Sequence, residues 1–443
     1  MKKVLAYKDL DLQGLLNKSY GDDAKLEQAV KDIIEQVRRD GQEALFDLTA
    51  RFDRVDLRAT GLRVSEEEME AAWRAVTPEI LKALTQARDN IYRFHMKQKR
   101  VSWMEPLPDG SVLGQLIQPL ARVGIYVPGG TAAYPSSALM NAVPAMVAGV
   151  GEIVMVSPPR PDGSLLPEVL VAASLCNITE IYKIGGAQAI AALAYGAGDI
   201  GKVDKISGPG NIYVTLAKKQ VYGQVDIDML AGPSEILILA DDSAEASELA
   251  ADLLSQAEHD KMASPILISP DRVLLEATIA EVERQLVSLP RGAIARASWE
   301  TYGAAIEVED LAQGMELANA IAPEHLELAV HDPYFWLGKV RNAGAIFVGR
   351  YTPEPVGDYF AGPNHILPTG GTARFFSVLD VDAFVKKTSV IHYSKQALTR
   401  DAAAIMALAR REGLEAHARA IFRRTGDALS AKDAKNSPLK KGE

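Results

Sequence analysis

From residue 22 to about residue 51, apolar side chains recur at Leu26, Val30, Ile33, Ile34 and Val37. Spacings of three and four predict an amphipathic helix with one buried stripe. Ser65-Glu-Glu-Glu68 puts a hydroxyl and a carboxylate three residues apart, the signature of a capping box. It predicts a second long helix running toward His95, which reads as a partly buried helical residue. From about residue 118 the rhythm changes. Short apolar runs at 121–127, 152–157, 180–184, 203–206 and 235–239 predict strands, separated by helical runs at 136–148, 167–175 and 187–195. The alternation resumes with a helix over 243–260, a strand over 265–269, a helix over 272–289 and a strand over 344–348. Strands alternating with helices predict parallel sheets covered on both faces.

For a chain of 443 residues, two such sheets fit better than one. The expected fold is therefore α/β, with two Rossmann-like parallel-sheet units, one inserted in the other. Residues 118–235 form the inserted unit. The flanking segments 1–117, with its N-terminal helices, and 236–384 form the other. Beyond Val385 the pattern is helical again, over 395–410 and 414–423, so 385–430 reads as a helical C-terminal segment. Residues 431–443 are polar and charged, which predicts disorder.

Composition narrows the function classes. Hydrophobic residues make up 48% and charged residues 24%, ordinary for a soluble globular chain. The net charge of −10 argues against general nucleic-acid binding. The single cysteine, Cys176, excludes a disulfide within the chain, suits a reducing compartment, and reads as a small buried residue. The first ten residues lack the apolar core of a secretory leader, and no run is apolar enough for a membrane span. A cytoplasmic location is expected.

Two nucleotide signatures nearly occur and are set aside. Gly196-Ala-Gly-Asp-Ile-Gly201 has the letters of the dinucleotide loop, but it follows the alanine-rich helical run instead of a strand. Its glycines are expected to end that helix. Lys202 is followed by Val203, so a phosphate-binding loop is also missing. Four other glycine boxes stand at the ends of predicted strands, where open α/β sheets bind ligands. They are Tyr126-Val-Pro-Gly-Gly130, Gly185-Gly-Ala-Gln188, Ser207-Gly-Pro-Gly-Asn211 and Ala231-Gly-Pro-Ser-Glu235. They offer Tyr126, Gln188, Asn211 and Ser234 to a common crevice.

Proton carriers and nitrogen–oxygen ligands fall in further boxes. Glu324-His325 follows Pro323, which favours a bend or a helix start there. The pair supplies a carboxylate and an imidazole, the common general bases. Gln256 and His259 lie three apart and share a helix face. Gly357-Asp358-Tyr-Phe-Ala-Gly-Pro-Asn-His365 is a loop with Asp358 and His365. Glu412-Gly-Leu-Glu-Ala-His417 adds Glu412 and His417, with Gly413 breaking the helix between them. Such ligands without thiolate suit zinc or another divalent ion.

In this order the blocks Ile125-Tyr-Val-Pro-Gly-Gly130, Gly185-Gly-Ala-Gln188, Gly208-Pro-Gly-Asn211, Ala231-Gly-Pro-Ser-Glu235, Leu253-Leu-Ser-Gln-Ala-Glu-His-Asp260, Ala322-Pro-Glu-His-Leu-Glu327 and Thr388-Ser-Val-Ile-His-Tyr393 resemble the histidinol dehydrogenase family, from about residue 25 to 425. The resemblance implies a zinc-containing, NAD-dependent enzyme. It would carry L-histidinol through the aldehyde to L-histidine, the last steps of histidine biosynthesis, with two NAD and one water. It implies Gln256, His259, Asp358 and His417 as zinc ligands, which also meet the substrate. Glu324 would activate water and His325 would handle substrate protons. Ser234, His325, His365 and Glu412 would contact substrate, and Tyr126, Gln188 and Asn211 would contact NAD. It further implies a homodimer in which Glu412 and His417 reach the partner's site.

Overall fold

A computed structural model describes residues 2–11, 24–129 and 134–436. The chain divides into two compact units. One comprises residues 1–99 and 119–384, the other residues 100–118 and 385–443.

The larger unit holds two parallel sheets. Strands are numbered along the chain. The short β1 (Leu5–Ala6) belongs to this unit, while β2 (Trp103–Pro106) and most of β3 (Val112–Pro119) belong to the smaller one. A five-stranded sheet follows, made of β4 (Arg122–Tyr126), β5 (Glu152–Val156), β6 (Glu180–Tyr182), β7 (Lys205–Ser207) and β8 (Asp226–Ile227), in the order β6-β5-β4-β7-β8. Every pairing in it is parallel. The other sheet contains β9 (Glu235–Ala240), β10 (Ser264–Ser269), β11 (Ala304–Glu307), β12 (His325–Ala329) and β13 (Ala345–Val348), in the order β1-β11-β10-β9-β12-β13, again all parallel.

Both faces of the six-stranded sheet are covered, and β9 shows why its sequence reads as an unbroken apolar run. Ile236 and Ile238 pack with Leu249, Leu253 and Leu275 on one side. Leu237 and Leu239 pack with Met315, Leu317 and Ile321 on the other. The two-residue period of a strand sends alternate side chains to two different cores, so no polar positions are left after Glu235.

The N-terminal helices Ala24–Asp40 and Gln42–Phe52 were expected to join the flanking sheet. Their buried stripe, Val30, Ile33, Ile34, Val37 and Leu45, instead packs against the helices Gly186–Tyr195 and Ile212–Val221 of the five-stranded sheet. The capping box forms as expected. Ser65 and Glu68 exchange hydrogen bonds at the start of the helix Glu66–Ala75. Glu68 also pairs with the buried ammonium of Lys183 at 2.9 Å, tying this helix to the segment after β6. His95 is fully buried, with Nδ1 2.9 Å from the Ile91 carbonyl. Cys176 is buried, and burial pushes its thiol up to about 12.

In the smaller unit, β2 and β3 pair antiparallel, and β14 (Val385–His392) completes a three-stranded sheet. Sequence periodicity did not predict this sheet, nor the grouping of residues 100–118 with the C-terminal segment. The helices Lys395–Arg411 and Glu415–Asn436 pack through Ala402, Met406, Ala409 and Ala418. The last helix continues to Asn436. Residues 437–443 lie outside the described residues. Among the described residues, no helix is long and apolar enough to cross a membrane.

Candidate active site

A cavity of about 1230 Å³ lies in the larger unit, with walls from both parallel sheets. The five-stranded sheet offers its C-terminal edge. Tyr126 ends β4, Gly186 and Gln188 open the helix after β6, and Asn211 caps the helix after β7. The six-stranded sheet offers its N-terminal edge. Ser234 directly precedes β9 and Glu324 directly precedes β12. The box Ala231-Gly-Pro-Ser-Glu235 therefore sits at a strand beginning, not at a strand end as expected. Gly196 ends the helix Gly186–Tyr195, in keeping with the rejection of the 196–201 glycines as a dinucleotide loop.

Glu324-His325 does not start a helix. Ala322 takes a left-handed backbone with φ of 53°, Pro323 follows, and the chain enters β12 at His325. A bend or a helix start was expected; the bend is present, and a strand follows it in place of a helix. Strand geometry sends adjacent side chains apart, but main-chain contacts with the neighbouring strand hold both near the cavity wall. The carboxylate of Glu324 accepts the Glu235 N–H at 2.8 Å. His325 Nδ1 lies 2.9 Å from the Glu235 carbonyl oxygen. A carbonyl only accepts, so Nδ1 carries the hydrogen and the neutral ring presents Nε2 as its basic atom. Nε2 is buried, has no hydrogen-bond partner among the described residues, and stands 3.7 Å from Asp358.

Burial raises the Glu324 carboxyl to about 8, although the neighbouring imidazole opposes this. For His325 burial works downward, but the Glu324 and Asp358 carboxylates outweigh it and lift the ring to about 10. Burial would also raise Asp358, yet His325 and His365 hold it well below the usual carboxylate range. Burial lowers His259 and His365, which keeps both imidazoles neutral and available as ligands or acceptors. His365 Nδ1 is 2.9 Å from the Asp358 carbonyl, so its Nε2 is the free nitrogen.

The expected metal ligands Gln256, His259 and Asp358 all line this cavity. Gln256 is 1% exposed, and its Oε1 has no partner. One ligand atom from each of His259, Asp358 and Glu354 lies within 4.8 Å of the others. Glu354 was not anticipated. It is 2% exposed, accepts from the Ser255 hydroxyl at 3.1 Å through one oxygen, and has no hydrogen-bond partner for the other among the described residues. The signal was present, since Glu354 and Asp358 are four apart in the helix Glu354–Tyr359 and so share a face. Unpartnered, buried nitrogen–oxygen donors of this kind fit a hard or borderline divalent cation.

Tyr126, Gln188, Asn211, Ser234 and His365 also line the cavity. The Tyr126 hydroxyl accepts the Gly186 N–H at 3.1 Å, and burial pushes the phenol up to about 12. The Asn211 oxygen accepts from the N–H groups of Tyr213 and Val214 at 3.0 and 3.2 Å. That cap commits the oxygen and leaves the amide N–H₂ to serve a ligand. Glu412 and His417 belong to the smaller unit. Glu412 ends the helix Lys395–Arg411, His417 lies in the next helix, and both side chains are exposed. Gly413 separates them with φ of 77°.

A sequence profile of the histidinol dehydrogenase family matches residues 16–425. The chain is 60% identical to a histidinol dehydrogenase of Moorella thermoacetica over 88% of this chain and 92% of that relative. It is 56% identical to one from Heliobacterium mobile, over 95% and 99% respectively. A crystal structure of histidinol dehydrogenase from Elizabethkingia anophelis superposes with a TM-score of 0.91 at 36% identity, covering 97% of this chain and 99% of that one.

Proposed function

The chain belongs to the histidinol dehydrogenase family, oxidoreductases of histidine biosynthesis, and on that premise we propose that it oxidises L-histidinol through the aldehyde to L-histidine with two NAD, one water and a resident zinc ion. One observation carries the reading. Two buried proton carriers, Glu324 and His325, share a cavity with the metal-type donors Gln256, His259 and Asp358.

Gln256, His259 and Asp358 would hold the cation within this chain. When bound, it supplies positive charge that orients the substrate's amino and imidazole groups and favours loss of the hydroxyl proton. Asp358, once committed to a cation, holds the His325 proton less firmly, and the ring becomes a competent base. In the first oxidation His325 Nε2 takes the hydroxyl proton as hydride leaves the carbinol carbon for NAD. In the second, Glu324 takes a proton from water as the water oxygen adds to the aldehyde carbon, and His325 returns its proton to the aldehyde oxygen, completing the hydrate. His325 then takes a hydroxyl proton from the hydrate as the second hydride departs. Tyr126, Gln188 and Asn211 would hold NAD against the five-stranded sheet. Ser234 and His365 would fix the substrate.

Gln256, His259 and Asp358 give three of the four ligands zinc usually takes, and Glu354 stands beside His259 and Asp358 with one oxygen held by Ser255. We infer that His417 of a second copy supplies another and that Glu412 of that copy meets the substrate ammonium. The exposure of both residues supports a homodimer. So do the apolar side chains Ile391 and Leu408 of the smaller unit, 74% and 68% exposed. A cytoplasmic setting agrees with the lone cysteine.

Metal removal tests the reading. Stripping the protein with a strong chelator should abolish NADH formation from histidinol, and zinc should restore it. Full activity in a sample shown by elemental analysis to be metal-free would refute the zinc assignment.

A further inference from the structure

Asp53 lines the five-stranded side of the cavity near Phe52, Ile33 and Tyr126, and nothing above gives it a task. It terminates the helix Gln42–Phe52 through its backbone, whose N–H donates to the Thr49 carbonyl at 2.9 Å. The carboxylate is not needed for that cap. Its Oδ2 is buried and has no hydrogen-bond partner among the described residues, and its charge is felt at the Tyr126 hydroxyl. The following residue, Arg54, has φ of 60°. The left-handed region costs a side-chain-bearing residue about 1–2 kcal/mol. The turn that presents Asp53 is thus imposed by its surroundings, not by local preference.

Burial raises Asp53 to about 6, so at neutral pH it is an anion. A buried carboxylate oxygen without a donor opposes folding unless a ligand brings one. The wall around it is mostly apolar, with Leu26, Ile33 and Phe52, which suits the flat face of a base. The proton carriers and the metal cluster stand on the other wall, at the edge of the six-stranded sheet, so the reacting end of a dinucleotide belongs there. Its adenosine end then falls toward Asp53.

We propose that Asp53 accepts a hydrogen bond from the 2′-hydroxyl of the adenosine ribose and so selects NAD over its 2′-phosphorylated form. The inference rests on the NAD reading above. An acid in this role is the ordinary solution of doubly wound dinucleotide sites, where it follows a glycine loop. Here the glycines at 196–201 end a helix, and a carboxylate at the end of another helix does the same work. A hydroxyl satisfies the orphaned oxygen, whereas a phosphate brings a second negative charge against it.

Fluorescence titration of purified full-length protein tests this, using NADH, NADPH and an NADH analogue lacking the adenosine 2′-hydroxyl. The wild type should bind NADH about tenfold or more tighter than either alternative, the size expected for a hydrogen bond to a charged group. Asp53→Ala should lose most of that preference, binding NADH and the deoxy analogue alike, and Asp53→Asn should fall between. A merely structural Asp53 would shift thermal stability and leave the preference intact. Equal binding of NADH and the deoxy analogue by the wild type overturns the assignment without recourse to any variant. Retention of the full preference in Asp53→Ala overturns it as well. If the wild type binds no NADH at all, the NAD reading fails and takes this inference with it. NADH binding with an unchanged preference sinks the Asp53 assignment alone.

Discussion

In the proposed chemistry, a short run of contacts turns a common side chain, His325, into a directed base. The Glu235 carbonyl fixes the hydrogen on Nδ1, and burial together with two carboxylates controls the charge at Nε2. Asparagine at this position keeps a polar group near Glu235 but removes the basic atom. His325→Asn should retain its zinc and lose about two to four orders of magnitude in turnover, the usual worth of a general base. Elemental analysis and an NADH assay on one sample read both. Retained turnover, or loss of zinc in parallel with activity, would contradict the role. At this scale the sequence was informative where a residue type is rare in its place and silent where it is not. Glu324, His325, His259 and Asp358 stood out as proton carriers and ligands. Glu354 and Asp53 did not, because an isolated acid in a polar stretch looks solvated until the fold buries it.

A buried ion pair holds the element that carries Asn211. Lys218 and Asp228 have side chains only 3% and 1% exposed and form a salt bridge. Lys218 donates to the Gly208 carbonyl at 3.0 Å, and Asp228 accepts the Gly208 N–H at 2.8 Å. Gly208 has φ of 115°, and a Cβ there would collide with the Tyr126 carbonyl oxygen. The pair therefore clasps both polar groups of the one residue that lets the loop pass close to β4. Asp228→Asn should cost about 3–5 kcal/mol, because it leaves a buried ammonium unmatched, whereas Lys218→Met with Asp228→Leu should cost much less. Denaturant unfolding of the three proteins decides it, and equal losses in single and double variants would contradict the account. Elements marked by continuous apolar runs were legible beforehand, among them the helix Pro167–Leu175 and strand β9. Strand β12 was not. Its residues His325-Leu-Glu-Leu-Ala329 include two buried polar side chains, and the preceding proline pointed to a helix start. Function put polar groups where strand patterning wanted apolar ones.

At the scale of the molecule, the larger unit opposes the C-terminal edge of one parallel sheet to the N-terminal edge of another. Ligand-binding rules for open sheets anticipate the first edge and not the second. Hence Tyr126, Gln188 and Asn211 could be placed at the cavity from strand ends, Ser234 was read at a strand end although it precedes a strand, and Glu324 was singled out by its residue type and the family's blocks. The inferred homodimer makes a complementation test possible. His325→Asn and His417→Asn homodimers should each be nearly inactive. Co-expressed, they form mixed dimers in which one of two sites is intact, restoring about a quarter of wild-type activity at statistical assembly. No recovery in a preparation shown to contain mixed dimers would mean that each chain completes its own site.

The central claim is that one cavity performs both oxidations, because it holds two proton carriers beside a single metal cluster. The most direct measurement is the amount of NADH formed per histidinol consumed at completion. The account predicts a ratio near two with histidine as the product, whereas a ratio of one with accumulating aldehyde would contradict it.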